Sequence, residues 1–259
     1  MQLAQPQPTP YDLQFSLAGI PVRVSAWFWP VTALFGWGLC QALTDEPRQA
    51  LGLLVLWEIV VLLSIILHEM GHALAFRAFG QPAAVVIYHF GGLAIPYGGG
   101  HRGARSPLQR LLVAAAGPAA QLALAAAVVA VLRALGRAVP FPLEWLGERL
   151  GLFAGERPGS LVGFAIVMFL LEVNILWPLI NLVPVPPLDG GQIAREGLAA
   201  LGIADAARIA AGIGTVAGGA MAWWCWQEGQ WFMAMLFASL AMSCWQSLQQ
   251  GGPRWPRRA

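Results

Sequence analysis

The run Ile65-Ile66-Leu67-His68-Glu69-Met70-Gly71-His72-Ala73-Leu74-Ala75 closes a long apolar stretch and reads H-E-x-x-H. On a helix, residues four apart lie one above the other, so His68 and His72 project from one face and can grip a single metal ion. Glu69 follows the first of them directly, where a general base acting on water at the metal belongs. Two of the chain's four histidines stand here around a glutamate. Ionisable groups are costly at membrane depth, so three within five residues need a use. The stretch predicts a helix that is at once a membrane span and a metal carrier.

The rest of the composition agrees. Of 259 residues, 58% are hydrophobic and 11% charged, where a soluble domain carries about a quarter charged. Twelve tryptophans suit interfacial belts. A net charge of +2 with scattered arginines gives no sign of a nucleic-acid partner, and none is expected. All fifteen basic residues are Arg, a hint of a GC-rich bacterial genome, and the expected location is a bacterial inner membrane. Cys40, Cys225 and Cys244 lie far apart in apolar runs and read as core or lipid-facing residues, not as ligands or disulfides. The N-terminus has no basic region leading into a short apolar run, so insertion is expected to rely on the spans.

The expected fold is an all-α polytopic membrane protein of about six transmembrane helices, with a small membrane-associated β element between spans two and three. Residues 1–14 are Pro- and Gln-rich and read as a flexible tail, residues 15–249 as a single intramembrane domain, and residues 250–259 as a basic tail. Phe15 to Val24 reads as a short extended segment lying along the interface. Spans are placed at about 26–43, 51–80, 111–132, 161–180, 209–226 and 231–245, on the requirement for about 20 apolar residues. Gly117-Pro118 is expected to break the third. Residues 133–157 read as an interfacial loop with partial helix, and residues 191–205 as a small amphipathic helix. Six spans put both termini on one side. The arginines then divide ten to five in favour of that side, which the positive-inside rule makes cytoplasmic.

The stretch Val85 to Tyr97 is β-branched, aromatic and glycine-interrupted, so it reads as a strand or hairpin. Irregular backbone at membrane depth survives only where protein or a water-filled cavity covers it, which places this segment against the metal site. There Gly91 and Gly92 would offer an edge to an extended substrate. His89 and His101 read as interfacial histidines. Glu58 lies about 15 Å along the helix from His68, too far for the same ion, and reads as a bundle-facing carboxyl. Glu172 and Asn174 serve equally as the lining of a water path or as partners of neighbouring helices.

A catalytic zinc keeps three protein ligands and an open position. On spacing alone, Asp189 is as good a third ligand as it is a cap for a helix starting at Gly191. At this point the chain resembles the site-2 proteases, intramembrane zinc metalloproteases. The matching motifs are His68-Glu69-Met70-Gly71-His72 and Asn181-x-x-Pro184-x-x-Pro187-Leu188-Asp189-Gly190-Gly191. Phe90-Gly91-Gly92-Leu93-Ala94 resembles the family's β element, and Gly19-Ile20-Pro21-Val22 resembles the start of the six-span, sporulation-factor-protease branch. The resemblance implies one Zn2+ per chain, Asp189 as third ligand, and Asn181 as a residue that holds the substrate strand or the transition state. The family's Gly-Pro-x-x-Asn stands here as Gly117-Pro118-Ala119-Ala120-Gln121. Gln121 can make the same amide hydrogen bonds toward a substrate, reaching one methylene further. No stretch corresponds to a PDZ domain between the spans or a CBS domain after the last, so the control they would provide is expected either to be absent or to come from a separate regulatory protein.

The activity implied is cleavage of transmembrane segments of membrane-anchored proteins, regulated intramembrane proteolysis, with Glu69 as catalytic base. The expected partners are a membrane-protein substrate with a transmembrane helix and the lipid bilayer. Two rival readings are a membrane zinc hydrolase of another substrate and a non-catalytic client-binding protein.

Overall fold

The computed structural model describes residues 7–88, 91–97, 106–156 and 159–249. His89, His101, residues 98–105 and the tail at 250–259 lie outside them. In chain order the elements are β1 (Leu13–Leu17), β2 (Ile20–Val24), α1 (Phe28–Leu43), α2 (Pro47–Ala78), β3 (Ala83–Tyr88) and β4 (Gly91–Pro96). They continue with α3 (Pro107–Ala134), α4 (Glu144–Arg149), α5 (Leu161–Asn181), α6 (Asp189–Ala200), α7 (Ala206–Gln227) and α8 (Trp231–Gln249). Two compact units result: Met1–Gly103 with Ala116–Pro178, and Ala104–Ala115 with Leu179–Ala259.

The first unit is built on α2. Pro47 opens this helix, where its missing N–H costs nothing. The end is a Schellman turn: Gly80 has φ +77, Gly80 N donates to Arg77 O and Gln81 N to Phe76 O. At 32 residues α2 is about 48 Å long, more than a bilayer core of about 30 Å requires. α1 packs beside it, because a Cβ at Gly36 would lie 2.2 Å from the Trp57 ring, and Trp57 Nε1 donates to Thr32 O. Glu58 meets α1 through Thr32 Oγ1 at 2.6 Å, in keeping with a bundle-facing carboxyl.

A four-stranded sheet in the order β1-β2-β3-β4 completes this unit. Ala18 (φ +50) and Gly19 (φ +76) turn β1 into β2 through the two left-handed residues that a tight hairpin needs. Arg77 Nη1 donates to Ala18 O at 2.7 Å and ties that turn to the end of α2. β2 then pairs in parallel with β3, Val22 opposite Val85 and Val24 opposite Ile87, with α1 and α2 as the crossover. These four side chains are buried in one cluster with Met70 and Ala73 of α2. The segment expected to lie by itself along the interface is therefore half of the sheet. An isolated two-stranded hairpin is marginal, and the alternating Ile20, Val22 and Val24 are buried only once β3 lies alongside. The strand begins at Leu13, and Asp12 is already anchored by Thr9, Arg23 and the Ala26 amide, so order starts earlier than the tail boundary at residue 14.

Among the described residues, five helices are long and apolar enough to cross a membrane: α2, α3, α5, α7 and α8. α1, expected as the first of six spans, has 16 residues and measures about 24 Å. α3 is one helix with Pro118 inside it, not two pieces, since a single proline removes one backbone bond and its neighbours hold the rest. α4 is the partial helix expected between the third and fourth predicted spans.

In the second unit α7 and α8 form a hairpin from the last two predicted spans, turning at Gly229 (φ +71). Glycine lets them approach: a Cβ at Gly218 would lie 3.0 Å from Ala241 Cβ, and one at Gly214 would lie 3.0 Å from Cys244 Sγ. The Pro184–Pro187 segment packs in the same unit, with no room for a side chain at Gly190 against Leu182 O or at Gly191 against Pro186 N. α6 begins at Asp189, two residues before the expected start. Glu196 of α6 is buried between Arg110 Nε (2.8 Å) and Arg195 Nη2 (2.7 Å).

Candidate metal centre

α2 brings His68 and His72 to one face, as the spacing predicts. Their Nε2 atoms lie 3.1 Å apart, with ring planes inclined by 75°. Two nitrogens at about 2.05 Å from one tetrahedral zinc stand about 3.3 Å apart. The pair is thus close to chelating geometry. Both rings are buried, as is Glu69. Water reaches none of the three freely, so their polar atoms depend on protein partners or an ion.

Glycines make the room. Gly71, between His68 and His72, lets α3 come so close that a Cβ would lie 2.6 Å from Ala116 O. A Cβ at Gly117 of α3 would lie 2.2 Å from His72 Nε2. Gly117 thus acts as clearance for the Nε2 edge of His72 and not as the helix breaker read from the sequence. On the other side, a Cβ at Gly92 of β4 would lie 2.3 Å from Glu69 Cγ. β4 therefore runs directly over the Glu69 carboxyl, which places the glycine-rich segment at the site as expected. Gly91 has φ +126 and a Cβ there would meet Trp177 at 2.9 Å, so both positions of the pair demand glycine. At the end of β3, burial and then the Glu69 charge push the Tyr88 phenol above its usual range.

Gln121 is fully buried, with its amide shared between His68 Nδ1 (2.8 Å) and Ser64 O (3.2 Å). The substrate contact expected of it meets an amide already engaged at both ends. Asn174 is also fully buried and donates to Ser64 Oγ (2.8 Å) and Leu170 O (2.9 Å), so it joins α5 to α2. Ser64 went unnoticed in the sequence. Its only signal there was its place one turn before His68.

The second unit holds the other two expected residues. Asn181 ends α5, half-buried. Asp189 is buried in the first turn of α6, whose capping position is taken by Leu188.

A family model described as "Peptidase family M50" matches residues 57–225. The "Putative zinc metalloprotease sll0528" of Synechocystis sp. is 31% identical over 215 residues, 78% of this chain and 49% of that protein. The "Putative zinc metalloprotease Rip3" of Mycobacterium tuberculosis is 30% identical over 210 residues, 75% of this chain and 48% of that protein. The chain spans about half the length of the curated relatives it matches. The solved "Site-2 Protease from Methanocaldococcus jannaschii" superposes with a TM-score of 0.49 at 17% identity, over 96% of this chain and 99% of that one.

Proposed function

The chain belongs to peptidase family M50, and we propose that it is a zinc-dependent intramembrane endopeptidase that cleaves transmembrane segments of membrane-anchored proteins. The observation that carries this reading is the buried His68–His72 pair, with Nε2 atoms 3.1 Å apart and Glu69 beside it. Two imidazoles and a carboxylate are a sound donor set for zinc, which makes His68, His72 and Asp189 its ligands. Bound there, zinc supplies Lewis acidity that brings the pKa of water toward neutrality and polarises the scissile carbonyl.

Glu69 takes a proton from the attacking water as its oxygen adds to the carbonyl carbon. The same carboxyl then gives that proton to the amide nitrogen as the C–N bond breaks, leaving an acid and an amine. Asn181 donates a hydrogen bond to the substrate backbone or to the developing oxyanion. A helical peptide bond is shielded by its neighbours, so the substrate helix unwinds locally. β4 is an edge strand of the described sheet and opens with Gly91 and Gly92. Such an edge presents backbone donors and acceptors to an extended chain.

In this reading, residues 15–249 act as one multi-pass domain with α1 as a sixth span, flanked by a tail at each end. It sits in a bacterial inner membrane with both termini cytoplasmic. Its partners are a membrane-protein substrate, lipid and a separate regulatory protein that makes the proteolysis a regulated one.

The test uses the full chain in proteoliposomes with a single-span reporter whose transmembrane helix carries a Gly-Pro pair. Glu69→Gln is expected to keep one zinc per chain and to lose reporter cleavage. Asp189→Ala is expected to lose most of the zinc. Cleavage that persists in zinc-loaded Glu69→Gln would overturn the mechanism. Zinc held equally well without Asp189 would move the third ligand elsewhere.

A further inference from the structure

The two metal-facing histidines of α2 meet two residues of α3 at the same spacing. His72 lies against Gly117, and His68 against Gln121, four residues further along α3. One turn on each helix separates the two contacts, so the helices run antiparallel in register at the site. Gly117 is a clearance, whereas Gln121 is a bond.

The chemistry of that bond settles its direction. Ser64 O is a carbonyl and can only accept, so the end of the Gln121 amide beside it at 3.2 Å must be the NH2. The oxygen of the amide therefore faces His68 Nδ1 at 2.8 Å. Oε1 too can only accept, so Nδ1 must carry the proton. The neutral ring then has its lone pair on Nε2, the atom that lies 3.1 Å from His72 Nε2. Ser64 is itself held by Asn174 from α5, and Gln121 and Asn174 are both fully buried. No solvent is at hand to replace the acceptor if it is removed.

We infer that Gln121 is the positioning residue for His68: it selects the Nδ1–H tautomer and aims the Nε2 lone pair at the zinc position, where a substrate contact was expected of it. The assignment rests on the metalloprotease reading only in taking His68 as a ligand. A partner on the far ring nitrogen is what orients a metal-binding imidazole, and its loss costs about 10–100-fold in metal affinity.

The experiment uses the full chain in detergent and two readouts, zinc affinity by chelator competition and two-bond 1H–15N spectra of 15N-histidine-labelled, zinc-free protein. Gln121→Met keeps the length and removes the acceptor; it is expected to weaken zinc about 10–100-fold and to release His68 from the Nδ1–H tautomer. Gln121→Glu keeps an oxygen at His68 but loses the NH2 that donates to Ser64 O; it is expected to hold zinc more tightly than Gln121→Met, with the Nδ1–H tautomer retained. Wild-type affinity and an unchanged His68 tautomer in Gln121→Met would overturn the inference. So would a lower Tm with unchanged affinity, which marks packing alone. If Gln121→Met does not fold, Gln121→Leu takes its place, removing the acceptor with the same expectation. Wild-type protein that binds no zinc would overturn the metalloprotease reading, while the tautomer in that same sample would still decide the role of Gln121.

Discussion

Gly92 of β4 stands where any Cβ would lie 2.3 Å from Glu69 Cγ and 2.6 Å from Glu69 Oε1, so the strand backbone forms one wall of the position occupied by the proposed base. The wall is backbone on one side and a buried carboxyl on the other. A side chain added at Gly92 has to displace Glu69.

Gly92→Ala is therefore expected to separate metal binding from turnover. A displacement of about 1 Å at a reacting group costs roughly 100-fold in rate. Reporter cleavage should fall by about that factor while zinc content, read by mass spectrometry, stays at the wild-type value. Loss of zinc together with activity would mean that β4 supports the histidines and not the base.

Gly117→Ala is expected to do the opposite. In an ordinary helix interior this change stabilises by roughly 0.5–1 kcal/mol. Here the new methyl would lie 2.2 Å from His72 Nε2, so the ring must turn away and zinc should be lost. Gly212→Ala in α7 is the control, since a Cβ there meets nothing within 4 Å. It should leave zinc content untouched and the melting temperature equal or slightly higher.

Two arginine–glutamate pairs should differ in worth. Glu196 is 4% exposed and takes both Arg110 and Arg195, whereas the Arg137–Glu156 pair is 3.4 Å long with side chains 41% and 83% exposed. Arg110→Ala strips a charged hydrogen bond from a buried carboxylate and is expected to cost about 1–3 kcal/mol. Arg137→Ala should cost less than about 1 kcal/mol, because an exposed pair is screened by water and salt. Thermal melting in detergent, with proteolysis at α6 as a local readout, distinguishes them.

Asp12 should make the N-terminal hairpin acid-sensitive. The Thr9 hydroxyl, foremost, holds its carboxyl below the usual range; burial opposes this, and the Thr9 and Ala26 amides and Arg23 reinforce it. A carboxyl lowered in the folded state contributes its stabilisation fully above the unfolded value of about 3.9 and loses it as pH falls through the folded value. Amide exchange in β1 and β2, corrected for intrinsic rates, should thus rise relative to α2 below about pH 4. Asp12→Asn should show the loosened hairpin already at neutral pH and remove the acid step.

What the sequence determined by itself was periodic or compositional. The 3.6-residue repeat alone stacks His68 on His72, and runs of apolar residues alone mark the long helices, because both follow from local backbone geometry and the solvent around it. The same holds for the β character of residues 85–97. What only the tertiary structure decided were the meetings between distant segments: Gln121 with His68 across 53 residues, Gly117 beneath His72, Gly92 over Glu69, and β2 beside β3. No local period encodes which turn of one helix faces which turn of another. That register is set by the total packing of small and large side chains, so a glycine readable only as a break became the clearance for His72, and a glutamine readable as a substrate contact came to rest on His68.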